Sequence, residues 1–61
     1  MKKNILILGA LSDIAKSTAH KFASNGYNLL LAARKVSELE IEYKDFKSMY
    51  DIDLNFYEFD V

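Results

Sequence analysis

Apolar and polar positions along this chain fall into blocks whose period changes repeatedly. Asn4-Ile5-Leu6-Ile7-Leu8 is a continuous apolar run of strand length ending at Gly9, the pattern of a strand buried on both faces. From Asp13 the period is helical, with Ile14, Thr18, Ala19, Phe22 and Ala23 on one face. Ser12 or Asp13 supplies the N-cap, and Gly26 follows as the residue just past the C-terminal cap. Leu29-Leu30-Leu31-Ala32-Ala33 reads as a second buried strand that stops at Arg34-Lys35. Ser37-Glu38-Leu39-Glu40 then forms a capping box, with Ser37 as N-cap and Glu40 three residues on. Leu39, Tyr43, Phe46 and Tyr50 continue as one apolar helical stripe, and Asp51 to Asp53 breaks it. Leu54 to Phe59 is aromatic-rich and partly alternating, a third strand followed by Asp60-Val61.

The succession is β-α-β-α-β in an α/β protein, with helices long enough to cross between parallel strands. Right-handed crossovers give the strand order 3-2-1 of one half of a doubly wound parallel sheet. In such a half the first strand has an open edge, which calls for the remainder of a domain or for self-association. The energetics agree. Ordering 61 residues costs roughly 90 kcal/mol at about 1.5 kcal/mol per residue. The apolar surface that a compact globule of this mass buries, about 3,600 Å², offsets about the same amount. Residues 1–61 are therefore expected to be the N-terminal part of a larger domain.

Composition narrows the function. Eight Lys+Arg against nine Asp+Glu leave a net charge of −1, without the basic excess of a nucleic-acid binder. With 51% hydrophobic and 28% charged residues the chain is not of disordered composition. It has no cysteine, which excludes disulfides and thiolate metal sites. Lys2 and Lys3 before an apolar run resemble a signal peptide, but Gly9 interrupts the run and Asp13 and Lys16 follow at once. No stretch approaches the ~20 residues of a membrane span. The expectation is a cytoplasmic protein without nucleic-acid or membrane partners.

Ligands of open α/β sheets bind at the carboxyl ends of the strands, so the loop after the first strand is the place for chemistry. Gly9-Ala10-Leu11-Ser12-Asp13-Ile14-Ala15-Lys16-Ser17 feeds a helix N-terminus, which offers unpaired N–H groups and partial positive charge to an anion. An ordinary βα turn that needed Gly9 for backbone freedom is the plainer reading. A P-loop is nearly spelled by Gly9 through Ala15-Lys16-Ser17, but the spacing is one residue too long and Ala15 replaces a glycine. A receiver-like phosphoacceptor, with Asp60 as acceptor, lacks the clustered carboxylates after the first strand that would hold Mg²⁺. His20 stands alone in mid-helix without an acid partner, as surface histidines do.

Ile5 to Ala15 resembles the opening of the short-chain dehydrogenase/reductases, whose pattern is Thr-Gly-x-x-x-Gly-x-Gly. Gly9 matches the first glycine, Asp13 stands at the second, Ala15 at the third and Leu8 at the threonine. Gly-Ala-x-Ser-Asp-Ile-Ala is similar to a variant wording within that family. The resemblance runs on through Gly26-Tyr27-Asn28, Ala32-Ala33-Arg34-Lys35 and Asp60-Val61. It implies the N-terminal half of a Rossmann-type NAD(P)-binding domain in an oxidoreductase acting on a carbonyl or hydroxyl substrate.

By the same resemblance, Gly9 permits the tight turn, Ser12 and Ile14 lie beside the pyrophosphate, and Ala15 permits close helix–strand packing. Arg34 faces the adenosine ribose, and Asp60 with Val61 meets the adenine. Asp13, among the cofactor-binding positions, would cap the helix and compete with phosphate for the same N–H donors. The Rossmann acid that bonds the ribose belongs about 20 residues beyond the glycine turn. Here Arg34 and Lys35 stand at the strand end instead, with no carboxylate before Glu38. A guanidinium suits a 2′-phosphate, so NADP(H) is expected over NAD(H). Tyr43-x-x-x-Lys47 has the family's catalytic spacing but lies on an early crossover helix, where Tyr43 belongs to the apolar stripe. The family's catalytic Ser, Tyr and Lys have no counterparts in this chain. A non-catalytic nucleotide-binding module and a P-loop-like NTPase fragment are the alternative readings.

Overall fold

The computed structural model describes residues 3–59. Three parallel strands, β1 (Asn4–Leu8), β2 (Asn28–Ala33) and β3 (Leu54–Glu58), form one sheet with β2 in the middle, so the order read from β3 is 3-2-1. α1 (Asp13–Ser24) crosses from β1 to β2; α2 (Val36–Glu42) and the single turn α3 (Phe46–Met49) cross from β2 to β3. The register places Ile5 beside Leu29 and Ile7 beside Leu31, and continues to Leu54 and Phe56 on β3. Those residues share the sheet face that meets the helices, in one core with Ala15, Ala19, Ala23, Leu39, Tyr43 and Phe46.

Among the described residues nothing covers the opposite face. Leu6 and Leu8 are each 57% exposed and Tyr57 is also exposed, with Leu30 half-buried between them. A strand that reads as buried on both faces thus meets helices on only one in this chain, as expected of half a doubly wound sheet.

Three elements differ from the sequence-based expectation. The buried stripe of α1 is Ala15, Ala19 and Ala23, while Ile14 is 81% exposed. Side chains with only a methyl group let a helix lie close on Ile5 and Ile7 of β1 and Leu29 and Leu31 of β2, so the smallest residues rather than the largest mark the inner face. Helix α2 begins at Val36 after an extended Lys35, which makes no side-chain cap, so the Ser37–Glu40 capping box does not form. The second helix also breaks at Tyr43–Asp45. Tyr43 (φ −108°, ψ 12°) leaves the helical region while Asp45 (φ −85°, ψ −11°) is in it, yet Phe46 is buried beside Leu39 and Tyr43, so periodicity alone does not reveal the break.

Ala19 has no exposed surface. Ala19→Leu is therefore expected to overpack the α1–sheet contact and lower stability by about 1–3 kcal/mol, measured as a fall in the urea midpoint. An unchanged midpoint would show that α1 does not lie tightly on the sheet.

Candidate cofactor site at the carboxyl ends of the strands

The ladder of hydrogen bonds extends past the regular strands. Ala10 N–H donates to the Ala32 carbonyl (3.0 Å), and Phe59 N–H donates to the Ala33 carbonyl (2.8 Å). β2 is held from both sides up to the residue before Arg34. After β1 the chain turns at Gly9, whose φ of +64° lies in the left-handed region. A Cβ there would meet nothing within 4 Å, so glycine is needed for its backbone and not for space. Ser12 N–H closes the turn on the Gly9 carbonyl (3.2 Å).

Ser12 is the N-cap of α1, its Oγ accepting from Ala15 N–H at 3.1 Å. That bond uses an oxygen lone pair and leaves the hydroxyl proton able to donate outward. Asp13 does not cap. It is the first helical residue, fully exposed, 3.8 Å from the Lys16 ammonium. The expected competition between its carboxylate and a phosphate for the same N–H groups therefore does not arise. Lys16 also reaches Glu42 of α2 at 3.4 Å, so it joins two helices on the surface and is not placed as a P-loop lysine.

A cleft of about 580 Å³ opens at this end of the sheet, within the range of small-molecule sites. Gly9, Arg34 and Lys35 border it together. Ser12, Asp13 and Ile14 are not on its wall; they form the start of α1, directly after Leu11, which is. Asp60 and Val61 lie outside the described residues. The sequence reading missed Leu8, Leu11, Ala33, Phe59 and Glu38 as wall residues. Leu8, Ala33 and Phe59 could have been found, because each ends a strand or directly follows one. Glu38 reaches the cleft from the first turn of α2, a placement that follows from the helix starting at Val36.

Behind the wall, Tyr43 is fully buried and its hydroxyl donates to the Ala10 carbonyl at 2.6 Å. Burial, with the nearby Glu42 charge adding to it, pushes the phenol up from 10.0 to about 12. It is a core residue and not a proton-transfer group, as its place on the apolar stripe indicates. His20, exposed on α1, is not alone: its Nδ1 lies 2.9 Å from the Tyr50 hydroxyl and its ring 4.3 Å from that of Phe46.

Because an unfolded phenol ionises near 10.0 and the folded one near 12, the raised value favours folding fully below pH 10. This contribution is lost as pH rises through about 12. Tyr43→Phe is expected to lower stability by about 1–3 kcal/mol at neutral pH, since it leaves the buried Ala10 carbonyl without a donor. Its deficit against wild type should shrink above pH 10. Urea midpoints of both proteins across that range check this, and a constant deficit up to pH 12 contradicts it.

No protein-family model matches the chain. Over 51 residues, 84% of this chain, it is 43% identical to a dehydrogenase/reductase SDR family protein 7-like from Drosophila melanogaster. It spans 15% of that relative's length. The fold superposes on the bulky-bulky ketone specific alcohol dehydrogenase from Comamonas testosteroni with a TM-score of 0.86 and 25% identity. That match covers 97% of this chain and 24% of the dehydrogenase. The glycine turn after β1, the three parallel strands and these two likenesses agree: over the segment it spans, corresponding to the N-terminal part of such enzymes, the chain belongs to the short-chain dehydrogenase/reductase family.

Proposed function

We propose that this chain forms the adenosine and pyrophosphate part of an NADP(H) site in an oxidoreductase acting on a carbonyl or hydroxyl substrate. Family membership supports a nicotinamide dinucleotide in general. One observation carries the preference for the 2′-phosphate: Arg34 and Lys35 border the same cleft as Gly9.

The residues fit such a ligand. The uncrowded left-handed turn at Gly9 leaves the backbone approachable, and the Asp13 and Ile14 N–H groups that open α1 have no acceptor within the helix. Arg34 presents a planar fork suited to bidentate binding of a phosphate, and Lys35 adds a compact positive charge. Leu8, Leu11 and Phe59 supply apolar wall for the adenine. When bound, the nicotinamide supplies the hydride chemistry. This chain's part is to grip the other end of the dinucleotide and so orient it; the acid–base residues of the reaction are contributed from beyond it.

Glu38 works against an anion, because this acidic residue borders the same cleft. It tempers affinity for the 2′-phosphate without offsetting two cations.

In the full-length protein, kcat/KM is expected to be higher with NADPH than with NADH. Arg34→Ala should erode that preference by roughly 1–3 kcal/mol, the scale of a charge-assisted hydrogen bond. Equal use of the two cofactors, or an NADH preference unmoved by Arg34→Ala, would overturn the assignment. Glu38→Gln should tighten NADPH by up to about fivefold at low salt, the scale of an exposed charge interaction. Weaker NADPH binding in that variant would instead make Glu38 a ligand for the ribose.

A further inference from the structure

Tyr43 is an expensive choice for packing alone. A phenylalanine would fill the same apolar stripe, whereas a tyrosine brings a hydroxyl that must find a partner once buried. Its partner is not on its own helix or on the sheet. It is the carbonyl of Ala10, thirty-three residues earlier, inside the turn between Gly9 and Ser12. The other side of Ala10 is also held, its N–H by the Ala32 carbonyl at 3.0 Å. Ala10 is itself completely buried.

This double hold has a local purpose. The turn has one glycine and closes on a single backbone bond, Ser12 N–H to Gly9 carbonyl, at 3.2 Å. Rotation of the Ala10–Leu11 peptide would redirect the backbone that follows, including the first N–H groups of α1. The Tyr43 hydroxyl fixes that peptide from the α2 side.

We infer that Tyr43 is a positioning residue for the diphosphate of the cofactor, acting through the Ala10 carbonyl to aim the N–H groups of Leu11, Asp13 and Ile14. The inference rests on the dinucleotide-site reading above. Tyr43 does not border the cleft that Arg34 borders, so it would act on the ligand only through the turn. Its loss therefore weakens ligands that carry a diphosphate and spares those that carry only the adenosine 2′-phosphate.

The test uses the full-length protein, with dissociation constants for NADPH and for 2′-AMP, which has no diphosphate. Tyr43→Phe should weaken NADPH about three- to tenfold, the factor a net hydrogen bond is worth, and leave 2′-AMP unchanged. Leu39→Ala, which opens a cavity in the same stripe and keeps the Tyr43–Ala10 hydrogen bond, should lower stability and leave the ratio of the two constants as in wild type. Amide hydrogen exchange should speed up at residues 11–14 in Tyr43→Phe and stay unchanged in β2. The inference is overturned if Tyr43→Phe leaves NADPH affinity unaltered. It is also overturned if both ligands weaken together, or if Leu39→Ala shifts the ratio as far. A wild-type protein that binds neither ligand refutes the dinucleotide-site reading itself, and the inference with it.

Discussion

The last two carbonyls of β2 hold the cleft end of this chain together. In a parallel strand successive carbonyls point to opposite neighbours. Ala32 accordingly accepts from Ala10 on the β1 side, and Ala33 accepts from Phe59 on the β3 side. Three chain segments are tied at one level by two hydrogen bonds. Arg34 leaves the sheet between the glycine turn and the end of β3, which is how residues distant in sequence come to border one cleft. Without that tie, Gly9 and Arg34 would be features of two separate loops.

The two helices reinforce the tie in different ways. α1 presents alanines to the sheet and gains close contact, so its N-terminus is set by backbone packing and by the Ser12 cap. α2 presents Leu39 and Tyr43, and the second of these sends its hydroxyl back to the turn after β1. The surface contacts between the helices, such as Lys16 with Glu42, are exposed ion pairs that add little to stability. The buried neutral bond outweighs them, because breaking it leaves an unsatisfied carbonyl in the core.

Much of this was legible in the sequence, for reasons that can be named. The run from Asn4 to Leu8 ends in a glycine, and a strand followed by a left-handed turn has few other spellings. The strand order follows from short crossovers of one hand. Arg34 and Lys35 could be placed at a strand end because Leu29–Ala33 is too apolar to stop earlier. Features that depend on three-dimensional neighbours were not legible. Ser37-x-x-Glu40 satisfies a local capping rule, yet the helix starts at Val36. The helical period puts Ile14 on one face with Ala19 and Ala23, whereas the sheet buries the alanines, which are small enough to lie close on it, and leaves Ile14 exposed. Asp13 and Ser12 were equivalent candidates for the cap until the Ala15 N–H chose Ser12. The use of the Tyr43 hydroxyl could not be read at all, since nothing in a 3.6-residue period says where a buried donor will point.

The proposed seat for the adenosine end of a dinucleotide is the cleft between the glycine turn and Arg34. Backbone amide chemical shifts of the full-length protein, titrated with NADP⁺, test this most directly. The account predicts the largest changes at Gly9, Leu11, Ser12, Arg34 and Lys35, with little change at the opposite strand ends, Asn4 and Asn28. Changes centred on Asn4 and Asn28, or none at Gly9 and Arg34 at saturating ligand, would contradict it.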